Sequence, residues 1–183
     1  MLRLCSSSDS RALLLQSFGI DFIQQAPSYD EELISTTDAR EFVYTASRGK
    51  MEASIREFGL EMPLLTADSV IVASDGTMLR KPHSLEEARE ILLKQSGSSM
   101  AILSSLHYRS KTLALSDISA THYTFAPFDE ANLEAYLESG LWRGKAGGCM
   151  VEGFCKKYIE KVRGYESTAM GLQVEYLLPW LER

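Results

Sequence analysis

Short apolar runs that end in polar clusters alternate with stretches of helical spacing along the chain. Leu2 to Cys5 is apolar and stops at Ser6-Ser7-Ser8-Asp9-Ser10-Arg11, as the end of a strand does. Helical spacing then runs from Leu13 to Phe18, with Gly19 as a C-terminal stop. The serine cluster is thus expected at a helix N-terminus, where up to four N–H groups lack intrahelical partners and the dipole favours an anion. Ser8 or Asp9 as a simple helix cap is the plainer reading of the same residues.

Ile20 to Ile23 predicts a second strand, followed by a polar loop with Asp30-Glu31-Glu32. Asp38-Ala39-Arg40-Glu41 has the form of a capping box and opens a long helix to about Phe58. Phe42, Ala46 and Lys50 recur at i, i+4, i+8, so Lys50 projects beside the apolar face. Leu64 to Ala73 is the most strand-like run, yet Asp68 lies in its middle. An ionised carboxylate cannot be buried there alone at a cost of several kcal/mol, so Asp68 must meet a cation, a metal or a wet cleft.

Ser74-Asp75-Gly76-Thr77 reads as a hairpin turn, and the returning strand ends at Arg80-Lys81-Pro82. Ser84 to Glu87 is another capping box, opening a helix that stops at Gly97. Met100 to Leu106 and Thr112 to Phe125 predict antiparallel strands, with His107 and His122 at surface or edge positions. A helix from Asp129 to Ser139 leads into the loop Trp142 to Gly148. A strand near Tyr158 to Val162 and a helix around Leu172 to Leu178 complete the chain. With no linker or repeat, one mixed α/β domain over residues 1–183 is expected.

Composition narrows the function. Of 183 residues, 45% are hydrophobic and 24% charged, the balance of an ordinary globular protein. A net charge of -6 argues against broad nucleic-acid binding, which needs a basic face, but leaves room for a small phosphorylated ligand in a local cationic pocket. Cys5, Cys149 and Cys155 form no CxxC pair, and the three histidines are too far apart for a zinc motif, so reduced structural thiols are expected. The polar turn after Leu4-Cys5 and the lack of a membrane-length apolar run point to a cytoplasmic location without a membrane partner.

Three common site motifs are absent: Gly-x-x-x-x-Gly-Lys-Ser/Thr, a strand-linked Gly-x-Gly-x-x-Gly, and Gly-x-Ser-x-Gly. What remains are carboxylates, cations and helix-terminal amides, the equipment for metal-assisted attack of water on a phosphoryl group. Magnesium favours one or two carboxylates plus substrate phosphates, which suits Glu31 and Asp68. Lys50 and Lys81 suit phosphate as point charges.

In chain order these segments resemble the Maf family of nucleotide pyrophosphatases. The opening serine loop, Asp30-Glu31, the segment Ala46 to Lys50, Asp68-Ser69-Val70 and Lys81-Pro82 match family elements. So do Gln95-Ser96-Gly97, Tyr136 to Gly140, Lys145-Ala146-Gly147, Glu152-Gly153 and Gly171-Leu172-Gln173. The resemblance implies a mixed, largely antiparallel, long-stranded sheet wrapped by helices, in two lobes with a central cleft. It implies hydrolysis of a nucleoside triphosphate to the monophosphate and pyrophosphate with Mg²⁺ or Mn²⁺, and it suggests a homodimer. By it Asp68 looks like the general base, a metal ligand or both, and Glu31 like a metal ligand or its support. Lys50 and Lys81 join them in the catalytic set. Ser6, Ser8, Ser10, Arg11, Ser69 and Lys145 look like substrate contacts, and Glu152 like a reader of the base. Asp9, Ser10, Gly144 and Gln173 depart from the family pattern. Glutamate at position 152 resembles members that act on 7-methylguanosine triphosphate, whereas Ser10 and Ser69 match neither that subgroup nor the thymidine- and uridine-preferring one. The competing reading is a non-catalytic nucleotide-binding regulator of cell division, of the septum-formation-inhibitor kind.

Overall fold

The apolar run bounded by Pro63 and the Ser74–Thr77 turn forms β3 (Leu64–Ala73), a strand buried along most of its length. The computed structural model describes residues 1–181. Around β3 lie β1 (Leu2–Leu4), β2 (Phe22–Gln24), β4 (Met78–Leu79), β5 (Ser99–Arg109), β6 (Ala114–Phe125) and β7 (Ile159–Arg163). They form a mixed seven-stranded sheet in the order β2-β1-β3-β5-β6-β7, with β4 pairing with β3. β1 runs parallel to β2 and β3, whereas β3–β4 and β6–β7 are antiparallel. The helices are α1 (Asp9–Ser17), α2 (Ala39–Phe58), α3 (Leu85–Gln95), α4 (Glu130–Ser139), α5 (Glu166–Ala169) and α6 (Val174–Leu181). Among the described residues no helix is long and apolar enough to cross a membrane.

The chain divides into two compact units. Among the described residues, the first comprises 1–69, 103–119 and 165–181, and the second 70–102 and 120–164. In the first, α1 and α6 cover β1, β3 and β5 through Leu4, Leu15, Leu65, Leu106, Leu172 and Leu177, all with no exposed surface. In the second, α3 and α4 enclose Leu92, Leu137 and Trp142, whose indole donates to the Leu137 carbonyl at 2.9 Å. Burying an aliphatic side chain of this size contributes about 1.5–3 kcal/mol, so these two clusters hold the strands that carry the polar residues below.

Local chemistry accounts for most boundaries. Asp38 Oδ1 accepts from Glu41 N at 2.8 Å and Ser84 Oγ from Glu87 N at 3.1 Å, as the capping signatures require. Ile20 is not in a strand. Gly19, at φ +67°, lets the α1 terminus close with Ile20 N donating to Leu15 O at 2.9 Å, so β2 starts later. β6 also starts late, because Ser110 Oγ accepts from Thr112 N and Leu113 N and holds the turn open to Leu113. The C-terminal helix extends past Pro179, since Leu177, Leu178 and Leu181 still pack on the core.

His122 is exposed in β6, as expected, whereas His107 in β5 is half-buried. Its Nδ1 lies 3.0 Å from Ser47 Oγ, its ring leans on Tyr44, and Ser47 Oγ donates to Ser105 Oγ at 2.8 Å. Burial, aided by Arg48, lowers the His107 pKa to about 4. The folded protein therefore holds His107 neutral while the unfolded chain protonates near 6.5, and stability is lost as pH falls through that window. After screening by the solvent that reaches the ring, the loss is on the order of 1–2 kcal/mol. Urea unfolding of His107→Gln should show a flatter profile between pH 6.5 and 4 than the parent; an unchanged slope refutes the assignment.

Candidate active site

Along β3, side chains alternate between faces, so Thr66 and Asp68 point one way and Ser69 the other. Thr66 Oγ1 donates to the Ser47 carbonyl of α2 at 2.8 Å. Ser47 stands one helical turn before Lys50, and Thr66 stands two residues before Asp68, so this bond sets helix against strand. Lys50 Nζ then donates to Asp68 Oδ1 at 2.6 Å and to Glu31 Oε2 at 2.5 Å. The lysine does not run out to solvent along the helix. Its side chain is 17% exposed, against 18% for Glu31 and 7% for Asp68, so little water screens the three charges.

Glu31 reaches this point from the loop before α2, in a short 3₁₀ turn (Glu31–Leu33). Tyr29 anchors that loop on α2, its ring lying where a Cβ on Gly49 would have to go. A glycine inside a helix costs about 1 kcal/mol relative to alanine, and here the cost admits the tyrosine ring. Burial, and then the charges of Asp68 and Glu31, raise the Tyr29 pKa, which keeps its hydroxyl protonated.

On the other face of β3, Arg11 Nη2 donates to Ser69 Oγ at 3.2 Å. Its Nη1 donates to Ser6 Oγ at 3.0 Å and its Nε to the Gly171 carbonyl at 2.8 Å. All three nitrogens are fixed, and each terminal nitrogen keeps a second N–H that these bonds do not use. Ser69 Oγ lies 2.8 Å from Ser104 Oγ, which donates to the Thr168 carbonyl at 2.7 Å. Ser8 caps α1, its Oγ accepting from Arg11 N at 3.4 Å, and Gln24 ties the loop down through the Ser6 and Ser8 carbonyls. The capping role of Ser8 and the anion-attracting helix terminus therefore coexist in one loop. Ser10 is half-buried in the first turn of the helix.

Electrostatics sharpen the contrast between the acids and their cations. Burial pushes the Asp68 carboxyl above the usual carboxylate range, Lys50 pulls it down, Glu31 pushes it up and Arg11 pulls it down again, with a net rise. Burial also lowers the Arg11 pKa, while Asp68 and Glu31 act to raise it. One acid thus combines raised basicity with a cation that keeps it charged.

The remaining residues expected from sequence lie in the second unit. Lys81 is exposed after β4, and Lys145 and Glu152 are half-buried between α4 and β7. The turn after Lys145 is held by Gly147 N donating to the Arg80 carbonyl at 3.0 Å and by Gln95 Nε2 donating to the Gly147 carbonyl at 2.8 Å. Gly147, at φ +58°, admits no side chain, because a Cβ would sit 2.8 Å from Ile71 Cδ1. Two contributors escape the sequence reading: Tyr29 and Ser104. Only the Tyr29–Gly49 contact leaves a trace there, as an unexplained glycine within a helix.

Comparison with known proteins places these features in a lineage. The model of the family described as Maf-like protein matches residues 1–183. A nucleoside triphosphate pyrophosphatase from a Nitratiruptor species is 54% identical over 97% of this chain and 96% of its own length. One from Helicobacter pylori (strain G27) is 40% identical over 97% of this chain and 93% of its own. Among solved structures, the Staphylococcus aureus Ham1 protein is 14% identical with a TM-score of 0.46, over 68% of this chain and 70% of that one.

Proposed function

The chain belongs to the Maf-like protein family, and from that premise we propose that it is a nucleoside triphosphate pyrophosphatase, releasing a nucleoside monophosphate and pyrophosphate. The observation that carries this reading is the Glu31–Lys50–Asp68 cluster, where two acids meet one ammonium within 2.6 Å. A protein that only bound nucleotide would gain nothing from buried carboxylates that repel phosphate. The regulator reading leaves them without a task.

In the proposed mechanism Asp68 accepts the proton of the attacking water. Its raised pKa makes it a stronger base than an ordinary aspartate, and Lys50 keeps it ionised so that it can act. Arg11, pinned on Ser6, Ser69 and Gly171, presents fixed N–H groups to phosphate oxygens, and the α1 N-terminus adds its amides. Such donors need no reorganisation as charge shifts during reaction. Lys81 and Lys145 are further phosphate contacts in this proposal, and Glu152 reads the base by accepting from ring N–H groups.

A divalent metal fits the donors present. Glu31 and Asp68 supply hard carboxylate oxygens that already converge on one cation. Two carboxylates suit Mg²⁺ or Mn²⁺ taken together with the substrate's phosphates. When bound, the metal would neutralise phosphate charge as a Lewis acid. Location in the cytoplasm belongs to the same proposal.

The test is a panel of standard and modified triphosphates with Mg²⁺, Mn²⁺ or EDTA, assayed for both pyrophosphate and orthophosphate. Pyrophosphate alone, lost with EDTA and restored by either metal, is the expected outcome. Orthophosphate release moves the cleavage to another phosphorus, and binding without turnover restores the regulator.

A further inference from the structure

Cys149 and Cys155 are six positions apart and share no redox motif, yet their sulfurs lie 2.9 Å from one another. The chain reverses between them, with Gly153 N and Cys155 N both donating to the Met150 carbonyl, at 3.1 and 3.0 Å. Tyr136 on α4 ties down both flanks: its hydroxyl donates to the Gly148 carbonyl at 2.8 Å, and its ring stacks on Phe154 at 4.4 Å and 5°. Each tether lies immediately before one of the cysteines. The approach of the two thiols is therefore built into the packing of the second unit. A bonded S–S distance of about 2.05 Å lies within roughly 1 Å of the separation observed.

We propose that Cys149 and Cys155 form a reversible intramolecular disulfide with hydroperoxides, clamping the segment that carries Glu152. Cys149 is the less buried residue of the two and so the attacking partner, while Cys155 has no exposed surface. The Cys149 thiolate attacks a peroxide oxygen, breaking the O–O bond and giving a sulfenic acid and an alcohol or water. The Cys155 sulfur then attacks the Cys149 sulfur, and its proton leaves with the displaced hydroxide as water. Two thiols are oxidised, one hydroperoxide is reduced, and a thiol reductant reverses the result. Burial pushes the Cys149 thiol up, which keeps the thiolate fraction small and makes the reaction with hydroperoxides slow. Cys5, buried in the first unit, has no partner in this chemistry.

Because the sulfurs need so little movement, the crosslink stiffens the loop rather than displacing it. On the reading that Glu152 and Lys145 bind substrate, stiffening lowers KM for the triphosphate about 2–5-fold at unchanged kcat. The protein is treated with tert-butyl hydroperoxide, denatured with an alkylating agent, and weighed intact beside untreated protein. The expected product has lost two hydrogen masses and takes up one alkyl group instead of three, a change absent in both Cys149→Ser and Cys155→Ser. Three alkylatable thiols after treatment, a gain of oxygen without a crosslink, or a disulfide between chains overturns the site. In the same samples KM should fall and recover with dithiothreitol; an unchanged or raised KM overturns the clamp. The mass and thiol measurements need no turnover, so they stand apart from any failure of the enzymatic reading.

Discussion

Asp68→Asn is expected to lose about 10²–10⁴-fold in kcat while remaining at least as stable as the parent at pH 7. The two halves of this result have one origin. Burial raises the carboxyl's pKa more than Lys50 lowers it, so the folded protein holds the ionised acid at a cost. A group whose folded pKa is raised contributes stability that is present below the ordinary carboxylate range and lost as pH rises through the folded pKa. The amide keeps an oxygen to accept from Lys50 and carries no charge to desolvate, so the variant escapes that loss. KM should stay the same or fall, because one negative charge is removed from a site built for phosphates. Steady-state kinetics and urea unfolding at pH 5 and 7.5 together decide it. A variant that is both inactive and markedly less stable points to collapse of the site, and a variant that still turns over removes Asp68 as the base.

Legibility in the sequence follows the range of the interaction. Asp38 and Ser84 cap their helices because the capping bond reaches only three residues ahead, well within a local pattern. The buried strand around Asp68 was equally legible, since an acid amid Leu64, Leu65, Val70 and Ile71 demands a partner whatever the fold. Which partner was less so. Spacing put Lys50 beside the apolar face of α2, but only tertiary packing brings it to Asp68, and the device that fixes the distance, Thr66 on the Ser47 carbonyl, has no local signature. The same holds for Tyr29 on Gly49, His107 on Ser47, and Cys149 against Cys155, where turns and helix packing set the approach. α5 was missed because four residues, Glu166–Ala169, are too few to show a period. Ile20 was misplaced because a helix cap can absorb an apolar residue as readily as a strand can.

Lys50→Met should be inactive and should also unfold more easily, by about 3–5 kcal/mol near pH 8, the usual cost of removing one partner from a buried ion pair. Here one ammonium serves two acids, with contacts of 2.5 and 2.6 Å, so its loss removes the cation both acids touch and leaves Glu31 and Asp68 repelling each other in a place that water barely reaches. Both carboxyls then respond by holding their protons. The folded pKa of Asp68, already raised, moves further above the unfolded one, so stability is regained as pH falls towards the ordinary carboxylate range of about 4. His107 takes up its proton in parent and variant alike as the pH approaches 4, so its contribution cancels in the difference between them. The gap between parent and variant in urea midpoint should therefore narrow from pH 8 to pH 4.5. Lys50→Arg keeps the charge and recovers stability in part, but its planar fork cannot reproduce a point charge between two carboxylates, so activity stays low. A deficit that widens on acidification, or a Met variant as stable as the parent at pH 8, would show that the ammonium does not neutralise this pair, and the acid–base chemistry assigned to Asp68 would lose its physical basis.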